Sequence, residues 1–142
     1  MSSRESYPES MTCLLQGPLA VGDAVAAARG FAETCELASQ DIARLCIVVE
    51  ELIANLYDHG GLTDADQVEL RLAAEPDGIR ISIADHGTPF DPRTVPPNPE
   101  RPDRGGGAGI ELVRAWARIL SYEVTSEGNR IELLLPPATT SR

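Results

Sequence analysis

The chain has 142 residues, 42% of them hydrophobic, which is enough for one compact domain with its own core. Its formal charge is −10, from 22 acidic and 12 basic residues. The phosphate backbone of DNA or RNA would be repelled, so direct nucleic-acid binding is not expected. All 12 basic residues are arginine, which excludes lysine Schiff-base chemistry and a P-loop of the GK[ST] kind.

The sequence also bears on location and on the cysteines. The residues up to Met11 contain no apolar signal segment, and no run of about 18 apolar residues occurs. We therefore expect a cytoplasmic protein that does not enter a membrane.

The three cysteines, Cys13, Cys35 and Cys46, lack CxxC spacing, so we expect small, reduced, buried side chains rather than metal ligands.

The hydrophobic pattern of the first half predicts strands and helices in turn. An edge strand is predicted at Thr12 to Gln16, a helix from Leu19 to Leu37, and a second helix from Ser39 or Gln40 to about Tyr57. Apolar residues then alternate at 68–72 and at 79–83, on either side of a Pro-Asp-Gly turn. This pattern predicts an antiparallel hairpin with one buried face.

The second half begins with a segment rich in Pro, Gly, Asp and Arg, at about 88–107, which we interpret as a mobile lid. A third helix is predicted from Ile110 to Leu120, and a closing hairpin follows, with strands at Tyr122 to Thr125 and Arg130 to Leu135 around a Gly128-Asn129 turn. The predicted fold is α+β: one domain over 1–142, with its core at about 12–136. Its helices pack on one face of a mixed, mainly antiparallel sheet in a two-layer sandwich.

Three polar residues of the second helix, Glu51, Asn55 and His59, are spaced i, i+4, i+8 and therefore share roughly one face. A carboxylate beside a carboxamide oxygen suits a site that holds Mg²⁺ against phosphates and accepts a proton from an attacking hydroxyl. The alternative interpretation is a polar helix face in contact with water.

A second motif follows the strand at 79–83 and reads Asp85-His86-Gly87-Thr88-Pro89-Phe90-Asp91. A carboxylate at the end of a strand, next to a glycine, can lie in a dry pocket that a flat ligand approaches closely. Asp85 would accept the exocyclic amine of adenine and reject the carbonyl group of guanine. The alternative is an ordinary turn after a strand.

A third motif is the glycine-rich run from Gly105 to Gly109, which leads into the third helix. Glycines at a helix start leave N–H groups facing outward, where they can bind phosphates, and Arg104 or Arg101 could add positive charge. The spacing does not fit the dinucleotide-binding fingerprint. A flexible linker is the alternative.

The three motifs together resemble a known family. Residues 49–60, VEELIANLYDHG, are similar to the N box of the bacterial anti-sigma factor serine kinases, members of the gyrase, histidine-kinase and MutL (GHKL) ATPase superfamily. Residues 85–92, DHGTPFDP, resemble their first glycine box, and residues 106–114, GGAGIELVR, their second. The resemblance extends from about Leu19 to Leu135 and implies the Bergerat ATP-binding fold.

The resemblance also implies roles for individual residues. Glu51 would be the catalytic base, Asn55 the Mg²⁺ ligand, and Asp85 the adenine-binding residue with Gly87 beside it. The rest of the cofactor-binding set lies at the second glycine box: Arg104, Gly105, Gly107, Ala108, Gly109 and Ile110. The implied cofactors are ATP and Mg²⁺. The implied partners are a STAS-type anti-sigma-factor antagonist, phosphorylated on serine, a sigma factor, and a second copy in a homodimer.

The sequence departs from the family at two places and leaves other functions open. Residues 116–120, WARIL, replace a stretch that usually ends in an acidic residue and a valine, and Glu132 stands where a threonine near the adenine-binding Asp is usual. One alternative is a module that binds ATP and regulates its partner by contact, without kinase activity. Another is a kinase of a different signalling assembly.

Overall fold

The structure, a computed structural model, describes residues 9–89, 91 and 106–138. It forms five strands and three helices, in the order β1 (Ser10–Gln16), α1 (Ala20–Thr34), α2 (Ser39–His59), β2 (Gln67–Glu75), β3 (Gly78–Asp85), α3 (Gly106–Trp116), β4 (Arg118–Thr125) and β5 (Gly128–Leu135). The predicted α+β class and the two-layer sandwich are confirmed.

The five strands form one sheet in the order β1-β2-β3-β5-β4. Each of the four pairings is antiparallel, so the sheet is antiparallel throughout rather than mixed. β1 lies at one edge, as predicted. β3 and β5, which are far apart in sequence, are neighbours, and their register aligns Asp85 with Asn129. The last residues of β3 and the first residues of β5 therefore lie at the same end of the sheet.

One face of the sheet carries the core. Apolar side chains alternate along the strands and pack under the helices, and most are fully buried: Val68, Leu70, Leu72, Ile79, Ile81, Ile83, Ile131, Leu133 and Leu135. Burying one such side chain stabilises the fold by about 1.5–3 kcal/mol. This alternation, which Leu134 of β5 interrupts, directs one face of the sheet toward the helices.

The opposite face of the sheet is polar. Arg80 forms ion pairs with Glu75 at 2.7 Å and with Glu132 at 3.0 Å, across three neighbouring strands. Arg130 donates to the Ser82 hydroxyl at 2.8 Å. Because the paired side chains are 30–38% exposed, each ion pair stabilises the fold by about 1 kcal/mol or less.

The longest helix, α2, has 21 residues and one apolar stripe that packs on the sheet. The buried members of the stripe include Leu45, Val49 and Leu52, while Glu50 and Asp58 lie on the exposed side. None of the helices in the described ranges is long and apolar enough to cross a membrane. The cytoplasmic location stays a prediction.

The third helix differs from its prediction at both ends. It begins at Gly106, inside the glycine-rich run, and it ends at Trp116 rather than at Leu120. Apolar residues continue at a helical spacing up to Leu120, which explains the overestimate. Pairing with β5 overrides that spacing, because Arg118 and Ile119 join the sheet opposite Leu134 and Leu133. The closing hairpin is confirmed, but its turn lies at Ser126-Glu127, because the predicted turn residues Gly128 and Asn129 already pair with β4 as the start of β5.

The end of α1 places a non-glycine residue in the left-handed region. Glu36 has φ 59°, and its N–H donates to Glu33 O at 3.0 Å. The Leu37 N–H donates to Ala32 O at 3.1 Å. These two bonds define a Schellman motif, which usually has glycine at this position. A side chain there is strained by contact between Cβ and its own backbone.

We therefore expect Glu36→Gly to raise the free energy of unfolding by about 0.5–1 kcal/mol, measured by urea denaturation. Glu33→Gly is the matched control, because it removes the same side chain from an exposed position inside the helix. It should destabilise by about 1 kcal/mol. Equal effects of the two substitutions would contradict this account of the motif.

Candidate functional site

A small cavity lies between α2, the sheet and the start of α3. Its lining is apolar apart from Asn55, Asp85 and the Tyr122 hydroxyl: Leu52, Asn55, Leu56, Ile83, Asp85, Ile110, Tyr122 and Ile131. Its volume is about 20 Å³, room for about one water molecule. A purine base is far larger, so it could enter only after the walls of the cavity move apart.

Asn55, predicted as the metal ligand, lies in the wall of this cavity and is 5% exposed. Its Nδ2 donates to the backbone carbonyl of Glu51 at 2.7 Å. Only the nitrogen of a carboxamide can donate a hydrogen bond, so this bond fixes the orientation of the Asn55 amide group. Nδ2 faces the helix backbone, and Oδ1 faces away from it as an acceptor.

Glu51, predicted as the base, lies one turn before Asn55 on the same helix face and is half-buried. Burial raises the pKa of its carboxyl group above the ordinary value of 4.5, and the nearby charges of Glu50 and Asp58 raise it further. A raised pKa makes a carboxylate a better proton acceptor. Glu51 does not line the cavity itself.

Asp85, predicted to bind the base of the nucleotide, ends β3 and is 5% exposed. Its Oδ1 accepts the Gly87 N–H at 2.7 Å and the Nδ2 of Asn129 at 3.1 Å. Among the described residues no donor bonds to the other oxygen, Oδ2. A buried carboxylate with one satisfied and one available oxygen can accept a hydrogen bond from a ligand.

The sequence analysis missed the residue that supports Asp85. It considered Glu132, but Glu132 lies opposite Ser82, on the polar face of the sheet, where it pairs with Arg80. The supporting residue is Asn129, which directly opposes Asp85 across the β3–β5 pairing. Asn129 follows Gly128 in the predicted turn. Knowledge that β5 pairs with β3, and of the register of that pairing, would have identified it.

Gly87 lies where two loops are in contact. A Cβ at this position would overlap Gly60 O and would lie 2.8 Å from Leu62 Cδ2. The next residue, Thr88, donates its N–H to Gly60 O at 2.7 Å. The loop after α2 and the loop after β3 are thus in contact, and glycine is required there by packing.

The second glycine box is only partly described. Gly107, Ala108 and Gly109 form the first turn of α3, where free N–H groups can bind phosphates. Ile110 is buried in the cavity wall. Arg104 and Gly105 lie outside the described residues, as does most of the predicted lid, so these assignments stay predictions.

A metal site made by side chains alone is not found. No group of three or more His, Cys, Asp or Glu residues in the described ranges could hold an ion. A Mg²⁺ ion bound at Asn55 would need ligand phosphates and water for most of its coordination, as is usual for this ion. The cysteines are free thiols, and Cys46 is buried, which raises its pKa.

Comparisons with known proteins agree with this fold and arrangement. The model of the histidine kinase-like ATPase domain matches residues 17–135. The structure of the RsbU and RsbW domains of Rv1364c from Mycobacterium tuberculosis is similar, with a TM-score of 0.56 and 20% identity over 94% of this chain and 34% of that chain. This chain therefore spans about a third of that chain's length.

A second similar structure is the histidine kinase domain of the blue-light activated histidine kinase from Erythrobacter litoralis EL346. Its TM-score is 0.44, with 20% identity over 68% of this chain and 44% of that chain. No curated protein matches significantly. Because the family model covers most of the chain, this protein belongs to the histidine kinase-like ATPase domain family. The predicted superfamily is confirmed, and membership implies an ATP-binding site.

The packing of Gly87 leads to a test. We expect Gly87→Ala to lower the free energy of unfolding by about 1–3 kcal/mol, because the new methyl group separates the two loops. ATP affinity should fall with it. Gly30→Ala is the control: nothing lies within 4 Å of its added Cβ. It should stabilise α1 by about 0.5–1 kcal/mol. Urea unfolding curves of both variants and the wild type measure these changes. A Gly87→Ala curve identical to that of the wild type would contradict the packing argument.

Proposed function

We propose that this protein is an ATP- and Mg²⁺-dependent protein-serine kinase that acts as an anti-sigma factor. Its substrate is a STAS-type anti-sigma-factor antagonist, which it phosphorylates on serine. When that partner is unavailable, the protein sequesters a sigma factor. We further propose that it works as a homodimer. The family assignment supports ATP binding, and the resemblance of the three boxes to the anti-sigma factor kinases supports the choice of partner.

The observation that carries the proposal is the arrangement of one face of α2. Asn55 lies in the wall of the cavity with its amide nitrogen bound to the helix backbone, and Glu51, with its pKa raised by burial, lies one turn away on the same helix face. A module that only binds ATP needs a metal ligand but has no need of a carboxylate beside it. A kinase needs both.

The residues of this chain have distinct tasks in the proposed reaction. Asp85 holds the base, the N–H groups at the start of α3 hold the phosphates, and Asn55 helps to hold Mg²⁺, which neutralises phosphate charge. Glu51 takes the proton from the serine hydroxyl of the partner. Most of the rate enhancement would come from positioning and from charge stabilisation.

The charge of the chain favours a metal ion at the phosphates. The net charge is −10, and Glu50, Glu51 and Asp58 on α2 are among the acidic residues. A triphosphate would be repelled by this negative charge unless a cation or helix N–H groups compensate it. We therefore expect nucleotide affinity to depend strongly on Mg²⁺.

Phosphate transfer tests the proposal directly. The purified protein, labelled ATP and Mg²⁺ would be incubated with the STAS-type antagonists of the source organism, and phosphoserine would be measured. Glu51→Gln should bind ATP normally but transfer at least about 100-fold more slowly, because it loses the base. Asn55→Ala should lower the Mg²⁺-dependent affinity for ATP by roughly 10- to 100-fold or more. Losses of that size follow when a residue beside a metal ligand is replaced, and Asn55 would be a ligand itself.

Glu50→Gln serves as the control in the transfer assay, since Glu50 is exposed and adjacent to Glu51. It should retain binding and transfer. Wild-type protein that binds ATP but labels none of these partners would contradict the kinase proposal and favour the contact-only module. Wild-type protein that binds no nucleotide would contradict both.

The raised pKa of Glu51 predicts the pH profile of the transfer reaction. The base works only when deprotonated, so the rate should fall as the pH drops through that raised pKa. Glu50→Gln removes one of the charges that raise the pKa, so the acidic limb should move to lower pH. The same change at Glu33, on α1, should leave the limb in place. A profile unaffected by Glu50→Gln would argue against Glu51 as the base.

A further inference from the structure

Asn129 donates both hydrogens of its side-chain amide to other protein atoms. Its Nδ2 donates to Asp85 Oδ1 at 3.1 Å and to the Gly87 carbonyl at 2.9 Å. A carboxamide nitrogen has two hydrogens, so both are committed. The residue is 4% exposed, and none of the functional assignments made from the sequence includes it.

The orientation of the amide follows from chemistry. Both of its partners are acceptors, so only the nitrogen end can face them. The Asp85 carboxylate is then held at Oδ1 from two sides, by Asn129 and by the Gly87 N–H at 2.7 Å. Rotation of the carboxylate would break both bonds. Oδ2 is left as the oxygen that a ligand can reach.

We propose that Asn129 is a positioning residue that sets base specificity in the nucleotide pocket. It holds the side chain at position 85 so that Oδ2 of Asp85 faces the base. Asn129 itself donates no hydrogen bond to the base. The inference rests on the proposed function only as far as nucleotide binding, since it concerns which base is selected and not phosphate transfer.

The proposal has a consequence that a purely structural asparagine would not have. In Asp85→Asn, the two donors at the old Oδ1 position, Gly87 N–H and Asn129 Nδ2, require the new amide to place its oxygen there. Its nitrogen must then point toward the base. The pocket would present a donor instead of an acceptor, and should prefer a 6-oxo purine to a 6-amino purine.

The experiment measures the ratio of ATP to ITP affinity, because these nucleotides differ at the position that Asp85 would contact. Displacement of a fluorescent ATP analogue gives both affinities in one assay. The variants are Asp85→Asn, Asn129→Ala and the double substitution. Thr125→Ala is the matched control, because its hydroxyl bonds within the same hairpin turn, to Gly128 O and Glu127 N, and does not reach Asp85.

We expect wild type and Thr125→Ala to prefer ATP by about 100-fold or more, since the pocket is built around the amine. Asp85→Asn should reverse the preference to ITP. Asn129→Ala should reduce the preference for ATP to about 10-fold or less, because one of the two bonds that hold the carboxylate is lost. In the double variant only the Gly87 N–H still orients the amide at position 85, so the preference for ITP should be weaker than in Asp85→Asn and the ratio closer to 1.

Because the ratio cancels any general loss of affinity, it separates positioning from stability. If Asn129→Ala fails to fold, Asn129→Ser, which keeps one donor, should give an intermediate ratio. A wild-type ratio in either variant would overturn the role of Asn129 and leave the kinase proposal standing. ATP preference retained in Asp85→Asn would overturn the fixed orientation. Absence of nucleotide binding in the wild type would overturn this inference together with the proposed function.

Discussion

The bonding of the Asp85 carboxylate constrains the whole nucleotide pocket. A carboxylate that is 5% exposed has lost most of its hydration, which costs several kcal/mol unless protein donors replace the water. Gly87 and Asn129 supply two donors at one oxygen. The Gly87 bond is local, two residues along the chain, whereas Asn129 reaches the carboxylate because β3 and β5 are paired with Asp85 opposite Asn129. That register is determined by apolar pairs such as Ile81 with Leu133, so the core of the sheet decides the geometry at its polar end.

The same end of the sheet joins the loops that carry the motifs. The chain leaves α2 at Gly60, whose carbonyl accepts the Thr88 N–H from the loop after β3. Any shift of α2 relative to β3 would therefore also move the loop beside Asp85. Asn55 and Asp85, which contact opposite ends of the ligand in our proposal, are thus held at a defined separation by one backbone hydrogen bond and by the packing of Gly87.

The sequence predicted the elements well where hydrophobic periodicity was unopposed, as in α2 and the β2–β3 hairpin. It failed at Leu120, because a helical spacing of apolar residues continued into a segment where sheet pairing was stronger. It identified Asn55 and Asp85 from local motifs. It could not identify Asn129, because the contact of that residue with Asp85 depends on a pairing between strands and joins residues 44 apart in the chain. It noted only that Glu132 stands where the family usually has a threonine.

The hydrogen bonds of Asn55, Asn129 and Asp85 limit what can bind beside them, because they occupy the donor groups of these side chains. Asn55 directs Nδ2 to the Glu51 carbonyl, and Asn129 commits both of its hydrogens to Asp85 and Gly87. The acceptors that Asn55 and Asp85 leave for a ligand are then Oδ1 of Asn55 and Oδ2 of Asp85. In our proposal the ligand brings a donor to Oδ2 of Asp85 and a cation to Oδ1 of Asn55. The amine of adenine supplies the first and phosphate-bound Mg²⁺ the second, whereas free ATP supplies only the amine and carries its negative charge toward an acidic chain. The pocket is thus suited to the metal complex of ATP rather than to the nucleotide alone.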